Sequence, residues 1–301
     1  MSVHKPVLLK EVIEGLDLAK GDLVVDATFG GGGHSMAMCR LIGANGKIIG
    51  FDADAAAITA GQEKKESGEF SSCQIDFVQT NFRNIDKALA AENVHLIDKA
   101  LFDFGLSSDQ LESSGRGFTF LKDEPLIMTL AANPGPDDLS ARQIVNEWSE
   151  ESLADIIYGF GGERYSRRIA RKIIEGRTVE PIETTFQFVD VIGKAVPADY
   201  RRGRIHFATK TFQAIRIATN DELGAIRTAL SAIWPIVKTG GRVAAISFHE
   251  LEDRIVKLFF RDKANNDEAI LITKKPIIAD DDEMKENPRS RSAKLRVIQK
   301  K

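Results

Sequence analysis

The chain has 301 residues, of which 28% are charged and 43% hydrophobic, a composition typical of a folded, water-soluble protein with a large core. The formal net charge is only -3, so a surface that binds nucleic acid would have to be a local patch of basic residues. No apolar run approaches membrane-spanning length, and the first residues do not form a signal peptide. We therefore expect a cytoplasmic protein without a membrane segment.

The two cysteines, Cys39 and Cys73, show no C-x-x-C spacing and lie in apolar surroundings. This pattern predicts neither a zinc site nor a disulfide framework, and it is consistent with a reducing compartment. No other cluster of metal ligands is visible in the sequence, so we expect no bound metal.

The first part of the chain predicts helices that alternate with strands. Apolar residues at helical spacing from Val7 to Leu18 indicate a short amphipathic helix. The apolar run from Leu23 to Asp26 is followed by four glycines, Gly30 to Gly33, and a second apolar run ends at Asp52 after a gap of helix length. This order predicts a strand, a tight turn, a helix and a second parallel strand.

The glycine-rich turn and Asp52 indicate where a ligand would bind. In an open parallel sheet, ligands lie at the carboxyl ends of the strands, and an acidic residue at the tip of the second strand binds a ribose hydroxyl. The dinucleotide fingerprint G-x-G-x-x-G is not met, because its third glycine falls on Ser35 or Met36. A nucleoside cofactor with a small charged tail, such as S-adenosylmethionine, fits glycines that let the backbone come close. A tight turn that binds no ligand is the alternative.

Two further predicted strands end in residues that can complete such a site. The strand from Ile75 to Gln79 precedes Phe82, which either stacks on an adenine or packs in the core. The apolar run after Lys99 ends at Asp103. Four strands that alternate with helices predict an α/β fold with a doubly wound sheet, in which Asp103 lies beside the glycine turn.

The pattern changes after Gln110. A connection rich in Gly, Ser and Pro leads to helical periodicity from Ser140 to about Val196. An apolar strand follows at 243–249, and the segments 271–276 and 295–300 are expected to pair antiparallel at the edge of the sheet. We therefore predict a mostly parallel sheet domain, residues 1–111 and 206–301, interrupted by a mainly helical domain, residues 112–205, that recognises the substrate.

Basic residues are concentrated in and beside the predicted helical domain. Residues 160–210 contain eleven Lys and Arg against six Asp and Glu. The arginines that we expect to form one basic surface are Arg164, Arg167, Arg168, Arg171, Arg201, Arg202 and Arg204. Such a surface can bind the phosphates of a nucleic acid. A solvated helix face is the alternative.

Seven segments, in the same order along nearly the whole chain, resemble the bacterial MraW/RsmH family. They are D-A-T-F-G-G-G-G-H-S (26–35), D-F-G-L-S-S-D-Q-L (103–111), R-G-F-T-F (116–120), E-R-Y-S-R-R-I-A-R-K-I (163–173), H-F-A-T-K-T-F-Q-A-I-R-I (206–217) with N-D-E-L (220–223), S-F-H-E-L-E-D-R-I-V-K (247–257) and N-P-R-S-R-S-A-K-L-R (287–296). The family consists of S-adenosylmethionine-dependent methyltransferases that modify the exocyclic N(4) amine of a cytosine in 16S ribosomal RNA. The resemblance thus implies a class I Rossmann-like methyltransferase sheet, S-adenosylmethionine as cofactor and 16S ribosomal RNA, within the small subunit, as partner.

The resemblance also implies which residues bind the cofactor. The matching positions are Gly32, Gly33, His34, Asp52, Phe82, Asp103 and Gln110. In the family, the inserted helical domain helps to form the cleft that binds RNA.

Asp103 and His249 are the candidate catalytic residues. The cytosine amine is a poor nucleophile because its lone pair is delocalised into the ring, so it must be oriented and its proton accepted. Asp103 either accepts that proton or only holds the amino group of the cofactor's methionine. His249, followed by Glu252 and Asp253, either accepts the proton or caps the next helix.

Residues of the predicted insert and its flank add further candidates for the base pocket. Phe118 or Phe120 could stack on a flipped cytosine beside Arg116, although one of these rings is expected in the core. Asn220 could contact the base, but a cap on the helix that begins at Asp221 is the favoured interpretation.

The match to the family has departures. Ile127 and Thr129 stand where the family pattern has an aspartate and an arginine, which puts target positioning in doubt. Both partners of the pair are absent, so no single charge is left stranded, and we expect activity to be retained.

Three other functions remain open from the sequence. A DNA amine methyltransferase would usually carry a Pro-Pro motif after the strand tip, where this chain has D-F-G-L (103–106). A small-molecule methyltransferase would lack the basic helical insertion. A protein that binds the cofactor without catalysis would keep Asp52 and the glycines.

Overall fold

The computed structural model describes residues 5–107, 110–111, 113–132, 134–135 and 138–301. The chain forms two compact units. The first comprises Met1–Gly105 and Leu223–Lys301, and the second comprises Leu106–Glu222. Among the described residues, no helix is both long enough and apolar enough to cross a membrane.

The first unit is built on a seven-stranded sheet with the order β3-β2-β1-β4-β5-β7-β6. Its strands are β1 (Leu23–Asp26), β2 (Lys47–Asp52), β3 (Gln74–Gln79), β4 (Ile97–Asp103), β5 (Val237–Ser247), β6 (Ala269–Leu271) and β7 (Lys294–Lys300). The five strands from β3 to β5 run parallel, whereas β7 is antiparallel to both β5 and β6. The predicted doubly wound, mostly parallel α/β sheet is confirmed.

The predicted antiparallel pair at the edge of the sheet is confirmed, with β7 beside β5 and the short strand β6 outside it. Two details of the sheet differ from the prediction. Strand β6 ends at Leu271, where the first segment of that pair was expected to begin. Strand β5 begins at Val237 and so includes the Gly240–Gly241 segment, which had the sequence of a turn. The pairing of β5 with β4 shifts register between Ile97 and Lys99, so the irregular glycine segment is accommodated inside the strand.

Helices cover the sheet and form most of the second unit. The described helices are α1 (Leu9–Leu16), α2 (Gly33–Ile42), α3 (Ala55–Glu66), α4 (Ile85–Ala91), α5 (Ala141–Glu147), α6 (Glu150–Gly161), α7 (Ser166–Arg177), α8 (Thr185–Ala195), α9 (Ala198–Arg201), α10 (Thr209–Asn220), α11 (Glu222–Ile233), α12 (Glu250–Asn265) and α13 (Asp281–Glu286). Their starts follow local chemistry: the side chain of Asp54 accepts the N–H of Ala56 at the start of α3, and Ser140 and Thr184 form capping boxes on α5 and α8.

The core of the first unit contradicts the expectation of no disulfide. Cys39 in α2 and Cys73, just before β3, are joined by a disulfide with their Cα atoms 5.2 Å apart. Cys39 is fully buried, and both residues pack in the same hydrophobic cluster as Phe29, Phe70 and Phe77. The two cysteines are 34 positions apart, and it is the tertiary packing of α2 against the segment before β3 that brings the sulfurs together. No local sequence pattern therefore predicts this bond.

The second unit has a separate hydrophobic core. Apolar side chains of α5 to α8 and α10 pack together in this core, and Ile157, Ile169, Phe188 and Ile215 are among those that are buried. This unit runs from Leu106 to Glu222, whereas the sequence pattern suggested 112–205 for the helical insert. Helix α10 contributes to the helical core through Ile215 and Phe212.

Candidate functional site

The glycine-rich turn connects β1 to α2 through backbone that only glycine adopts readily. Gly30 and Gly32 have φ values of 50° and 77°, in the left-handed region. A Cβ atom on Gly32 would lie 2.6 Å from the Phe29 ring, and one on Gly33 would lie 3.0 Å from Pro6. The turn therefore presents bare backbone where a ligand can approach.

Asp52, at the end of β2, is hydrogen-bonded to this turn. Its Oδ2 accepts the N–H of Gly30 at 2.8 Å, and its Oδ1 accepts the N–H of Asp54 at 2.8 Å. Burial raises the pKa of the Asp52 carboxyl, although the backbone donors partly oppose that shift. Each oxygen keeps a second lone pair, so the side chain can still accept hydrogen bonds from a ribose.

His34 is the second residue of α2, and its buried ring lies between Val7 and Asp103. Its Nε2 lies 3.0 Å from the carbonyl oxygen of Val7, and a carbonyl can only accept, so Nε2 carries the proton. Its Nδ1 lies 3.7 Å from Oδ2 of Asp103. The imidazole thus places Asp103 next to the glycine turn, as the strand order predicted.

Asp103 ends β4 and is the most strongly perturbed carboxyl group of the described residues. Burial, reinforced by the negative charges of Asp26 and Glu252, raises its pKa well above the ordinary value. Its Oδ1 is buried and has no hydrogen-bond partner among the described residues. An unsatisfied buried oxygen is costly, and it is an acceptor site for a ligand's ammonium group.

Asp26, at the tip of β1, reinforces this acidic site. Its carboxyl accepts the Ser35 hydroxyl at 2.6 Å and the Thr28 N–H at 3.3 Å. Burial raises its pKa to about 6 in spite of those two hydrogen bonds. Asp26 and Asp103 thus form a buried acidic pair at the carboxyl ends of adjacent strands, which favours a cationic ligand.

Phe82 lies in a short 3₁₀ turn after β3 and is only partly buried. Its ring packs at 6.3 Å from that of Phe102 and at 5.7 Å from that of Phe104, both of which are buried. One side of Phe82 is therefore part of the core, while its exposed part could contact a planar ligand.

Gln110 belongs to the second unit, whereas the other predicted cofactor residues belong to the first. It is buried, and its Oε1 accepts the N–H of Ser107 at 3.1 Å while its own N–H donates to the Ser107 hydroxyl. These reciprocal bonds shape the backbone just after β4.

His249 occupies the N-cap of α12, as one of the two sequence interpretations expected. Its Nδ1 accepts the N–H of Glu252, and Oε2 of Glu252 accepts the N–H groups of Phe248 and His249. The Glu252 carboxyl also lies 3.2 Å from Nε2 of His249. Asp253, in contrast, binds Arg296 through two hydrogen bonds, so Glu252 alone orients the histidine in these contacts.

In the helical unit, Arg116 and Asn220 hold the segment that carries Ile127 and Thr129. Nη1 of Arg116 donates to the carbonyls of Thr129 at 2.9 Å and Leu130 at 2.7 Å. The Asn220 amide also bonds to this segment, a contact that sequence reasoning missed because 92 positions separate Asn220 from Met128. Buried Thr129 donates its hydroxyl to Ala131, so the residue that replaces the family's arginine is satisfied locally.

The two candidate stacking rings have different surroundings. Phe118 is buried in the helical core, with the Arg116 guanidinium 5.4 Å from its ring centre. Phe120 stacks on His206 with ring centres 4.5 Å apart, and Phe212 meets it edge-on. Burial lowers the pKa of His206, which favours the neutral ring in this stack.

The predicted basic residues are all in the helical unit and exposed. Arg164 lies before α7, which begins at Ser166. Arg167, Arg168 and Arg171 lie on α7, and Arg171 pairs with Glu150 at 3.6 Å. Arg201 ends α9, and Arg202 and Arg204 follow it.

Comparison with known proteins identifies the family. The sequence model of the MraW methylase family matches residues 1–301. A curated relative, ribosomal RNA small subunit methyltransferase H of Ruminiclostridium cellulolyticum, is 40% identical over 99% of this chain and 98% of its own length.

Solved structures are more distant in sequence. A crystal structure from Clostridium thermocellum has 14% identity and a TM-score of 0.48, covering 99% of this chain and 100% of that one. A SAM-dependent O-methyltransferase from Thermotoga maritima has 9% identity and a TM-score of 0.42, covering 100% of this chain and 67% of that one. The assignment therefore depends on the sequence matches, and by these the chain belongs to the MraW methylase family.

Proposed function

We propose that this protein transfers a methyl group from S-adenosylmethionine to the exocyclic N(4) amine of a cytidine in 16S ribosomal RNA. The name and 40% identity of the curated relative support the substrate class. The observation that carries the proposal is the buried, unpartnered Oδ1 of Asp103 beside Asp26, close to the glycine turn. That arrangement suits the ammonium group of a methionine better than it suits a phosphate.

The residues of the first unit fit S-adenosylmethionine in one orientation. Asp52 would accept hydrogen bonds from the ribose hydroxyls, and Phe82 would lie against the adenine. Gly32, Gly33 and His34 would let the backbone approach the methionine part, whose ammonium group Asp103 would hold. Gln110, in the second unit, is a further cofactor residue by the family resemblance alone.

The chemistry requires one displacement and one proton transfer. The bound cofactor supplies a methyl group on a sulfonium sulfur, so that a C–N bond forms as the C–S bond breaks. The amine must lose a proton, and either Asp103 or His249 would accept it. The Nδ1 of His249 accepts the Glu252 N–H in the cap on α12, so the neutral ring already carries its proton on Nε2, beside Glu252, and would have to give up this cap to accept another.

The cofactor affinity and kcat of variants at Asp103 and His249 distinguish a residue that holds the cofactor from one that accepts the proton. Asp103→Asn should weaken S-adenosylmethionine binding, measured by calorimetry, if Asp103 holds the ammonium group. If it accepts the proton instead, cofactor affinity should be retained and kcat should fall. His249→Asn keeps a cap at α12, so a fall in kcat without a loss of stability would assign the proton transfer to His249.

Substrate identity is tested with labelled S-adenosylmethionine and three acceptors: naked 16S ribosomal RNA, assembled small subunits, and DNA. We expect label in one of the ribosomal acceptors, with N(4)-methylcytidine found by mass spectrometry of its nucleosides. Transfer only to DNA, or cofactor binding without transfer to any acceptor, would contradict the proposal. The cytoplasm, where ribosomal subunits are made, is the compartment that fits this substrate.

A further inference from the structure

A cavity of about 340 Å³ opens on the helical unit, between α6 and the start of α7. Its lining includes Asp155, Tyr158, Arg164, Tyr165, Arg167 and Arg168. All of these residues belong to the second unit, whereas Asp52 and Asp103 belong to the first. The volume is at the lower end of the range for sites that bind small organic molecules, which suits one nucleotide.

Two of the lining residues, Arg164 and Tyr165, belong to a stack of rings and guanidinium groups that extends beyond the cavity to Tyr200. The rings of Tyr165 and Tyr200 meet edge to face at 5.0 Å, and the Arg164 guanidinium lies 4.8 Å from the first ring centre and 5.1 Å from the second. Arg168 also lies over Tyr165, at 5.5 Å. Such cation–π contacts fix the direction of both arginines before any ligand arrives.

Buried Glu163 anchors this stack. Its side chain is fully buried, and it accepts the N–H of Tyr165 at 2.8 Å and the hydroxyl of Tyr200. Burial and this hydrogen bond raise the pKa of Tyr200 to about 12, so its phenol stays protonated and bound to Glu163. The conspicuous E-R-Y sequence at 163–165 is thus explained as an anchor, a guanidinium and a ring in one short segment.

The cavity also offers an exposed ring and three guanidinium groups to a ligand. Tyr158 is 67% exposed, so its ring makes little contribution to the core. Of the described residues, none places a carboxylate within ion-pair distance of Arg164, Arg167 or Arg168, in contrast to Arg171, which pairs with Glu150. Three unpaired guanidinium groups beside an exposed ring are complementary to a phosphate and a base.

We infer that this cavity is a subsite for one nucleotide of single-stranded RNA, other than the cytidine that is methylated. The base stacks on Tyr158, its phosphate binds the three arginines, and Asp155 accepts a hydrogen bond from a base amino group. The choice of RNA rests on the proposed function. A duplex covers the faces of its bases, and an acidic peptide would leave Tyr158 without a partner, so single-stranded RNA uses the most groups.

Two exposed variants test the subsite, Tyr158→Leu and Arg167→Gln. Each is compared with a control that makes the same change outside the cavity: Phe186→Leu, a ring that is 48% exposed, and Lys172→Gln on α7. Binding is measured by fluorescence anisotropy with a labelled oligoribonucleotide of about 12 nucleotides, alone and annealed to its complement. We expect both cavity variants to weaken single-stranded binding about tenfold or more, while the controls stay within about twofold of the parent protein.

The outcomes separate this subsite from the proposed function. If methyl transfer to ribosomal RNA occurs but both cavity variants bind the single strand like their controls, the subsite is wrong and the function stands. If transfer never occurs but the variants lose single-stranded binding, the subsite stands and the function is wrong. Equal losses of single-stranded and duplex binding by Tyr158→Leu would overturn base stacking. Should one variant fail to fold, as judged by circular dichroism, the other still decides.

Discussion

The side-chain amide of Asn220 donates to the backbone carbonyl of Met128 at 2.8 Å, although 92 positions separate the two residues. The same amide accepts the N–H of Leu130 at 2.8 Å. Met128 has a φ of 57°, which is unfavourable for a residue with a side chain. Asn220 and Arg116 therefore hold a strained segment in place, and this segment carries Ile127 and Thr129, two of the positions at which the chain departs from the family pattern.

The consequence for activity is tested by Asn220→Ala. We expect it to lower the free energy of unfolding by about 1 to 3 kcal/mol, because two partly buried backbone groups lose their partner. It should also lower kcat/KM for methyl transfer, since the segment that would position the target moves. Asn146→Ala is a matched control, because Asn146 bonds both the N–H and the carbonyl of Ile182. A stability loss in both variants with equal kcat/KM values would show that the Asn220 contacts are only structural.

A methyl group on the glycine turn should weaken the binding of S-adenosylmethionine by more than the accompanying loss of stability explains. Gly32→Ala places a Cβ 2.6 Å from Phe29 at a φ of 77°, whereas Gly21→Ala has a φ of 86° and open space. Both should lose roughly 1 to 2 kcal/mol from backbone strain. Gly32→Ala should lose more stability than Gly21→Ala, because of the contact with Phe29. Its affinity for S-adenosylmethionine should fall by about tenfold or more. Calorimetry and urea unfolding measure the two effects, and equal affinities in the two variants would contradict this role of the turn.

The raised pKa of Asp26 predicts a pH dependence of stability. The folded state holds this proton up to about pH 6, whereas an ordinary carboxyl releases it near 3.8. The favourable contribution of this protonated carboxyl to the stability of the fold is therefore complete below pH 3.8 and is lost as the pH rises to about 6. Asp26→Asn should accordingly gain stability relative to the parent protein between pH 4 and pH 7, by at most about 3 kcal/mol.

Urea unfolding across that pH range provides the measurement, and Asp76→Asn is the control of opposite sign. Lys47 lowers the pKa of Asp76, so that carboxyl stabilises the fold above its ordinary pKa and loses this contribution as the pH falls. A stability difference for Asp26→Asn that does not change with pH would show that burial does not perturb this carboxyl in the folded state.

The basic surface should appear in the salt dependence of RNA binding. Replacing Arg167, Arg168 and Arg171 together by Gln should weaken binding and reduce the slope of log affinity against log salt by up to about 2, at roughly 0.7 per phosphate contact. Cofactor affinity should be unchanged, since these residues lie on α7. A triple variant with the slope of the parent protein would mean that these arginines form only a solvated face.

The proposed compartment makes a prediction for the cysteines. The cytosol keeps thiols reduced, so we expect the Cys39–Cys73 bond to be open in the cell. Cells lysed in denaturant with an alkylating reagent should then give protein with both cysteines modified, as detected by mass spectrometry. Recovery of the unmodified, bonded pair would argue against a reducing location.

The parts of the fold that the sequence predicted depend on local pattern. Strands β1 and β2, and β4 after Lys99, contain apolar runs that end in an aspartate, so the amino-acid pattern alone locates strand tips at Asp52 and Asp103. The position of β7 between β5 and β6 depends on pairing over long separations, which periodicity does not report. The Cys39–Cys73 bond was missed for the same reason.

The candidate site divides in a similar way. Glycines and carboxylates at strand ends are recognisable because topology brings all strand ends to one edge. The cap role of His249, the Asn220 contacts and the Glu163 anchor depend on which atom meets which backbone group. Residue type alone left two interpretations of His249, and the bond from its Nδ1 to the Glu252 N–H establishes the cap.

The interrupted sheet has a consequence for how the protein is made. Strands β1 to β4 leave the ribosome first, then the complete helical unit, and only afterwards β5 to β7. Until then β4 has no neighbour on the side where β5 will pair, and an open strand edge of this kind invites wrong partners. The helical unit, which has its own core, can fold during that interval, whereas the sheet is completed only when β5 to β7 have been made.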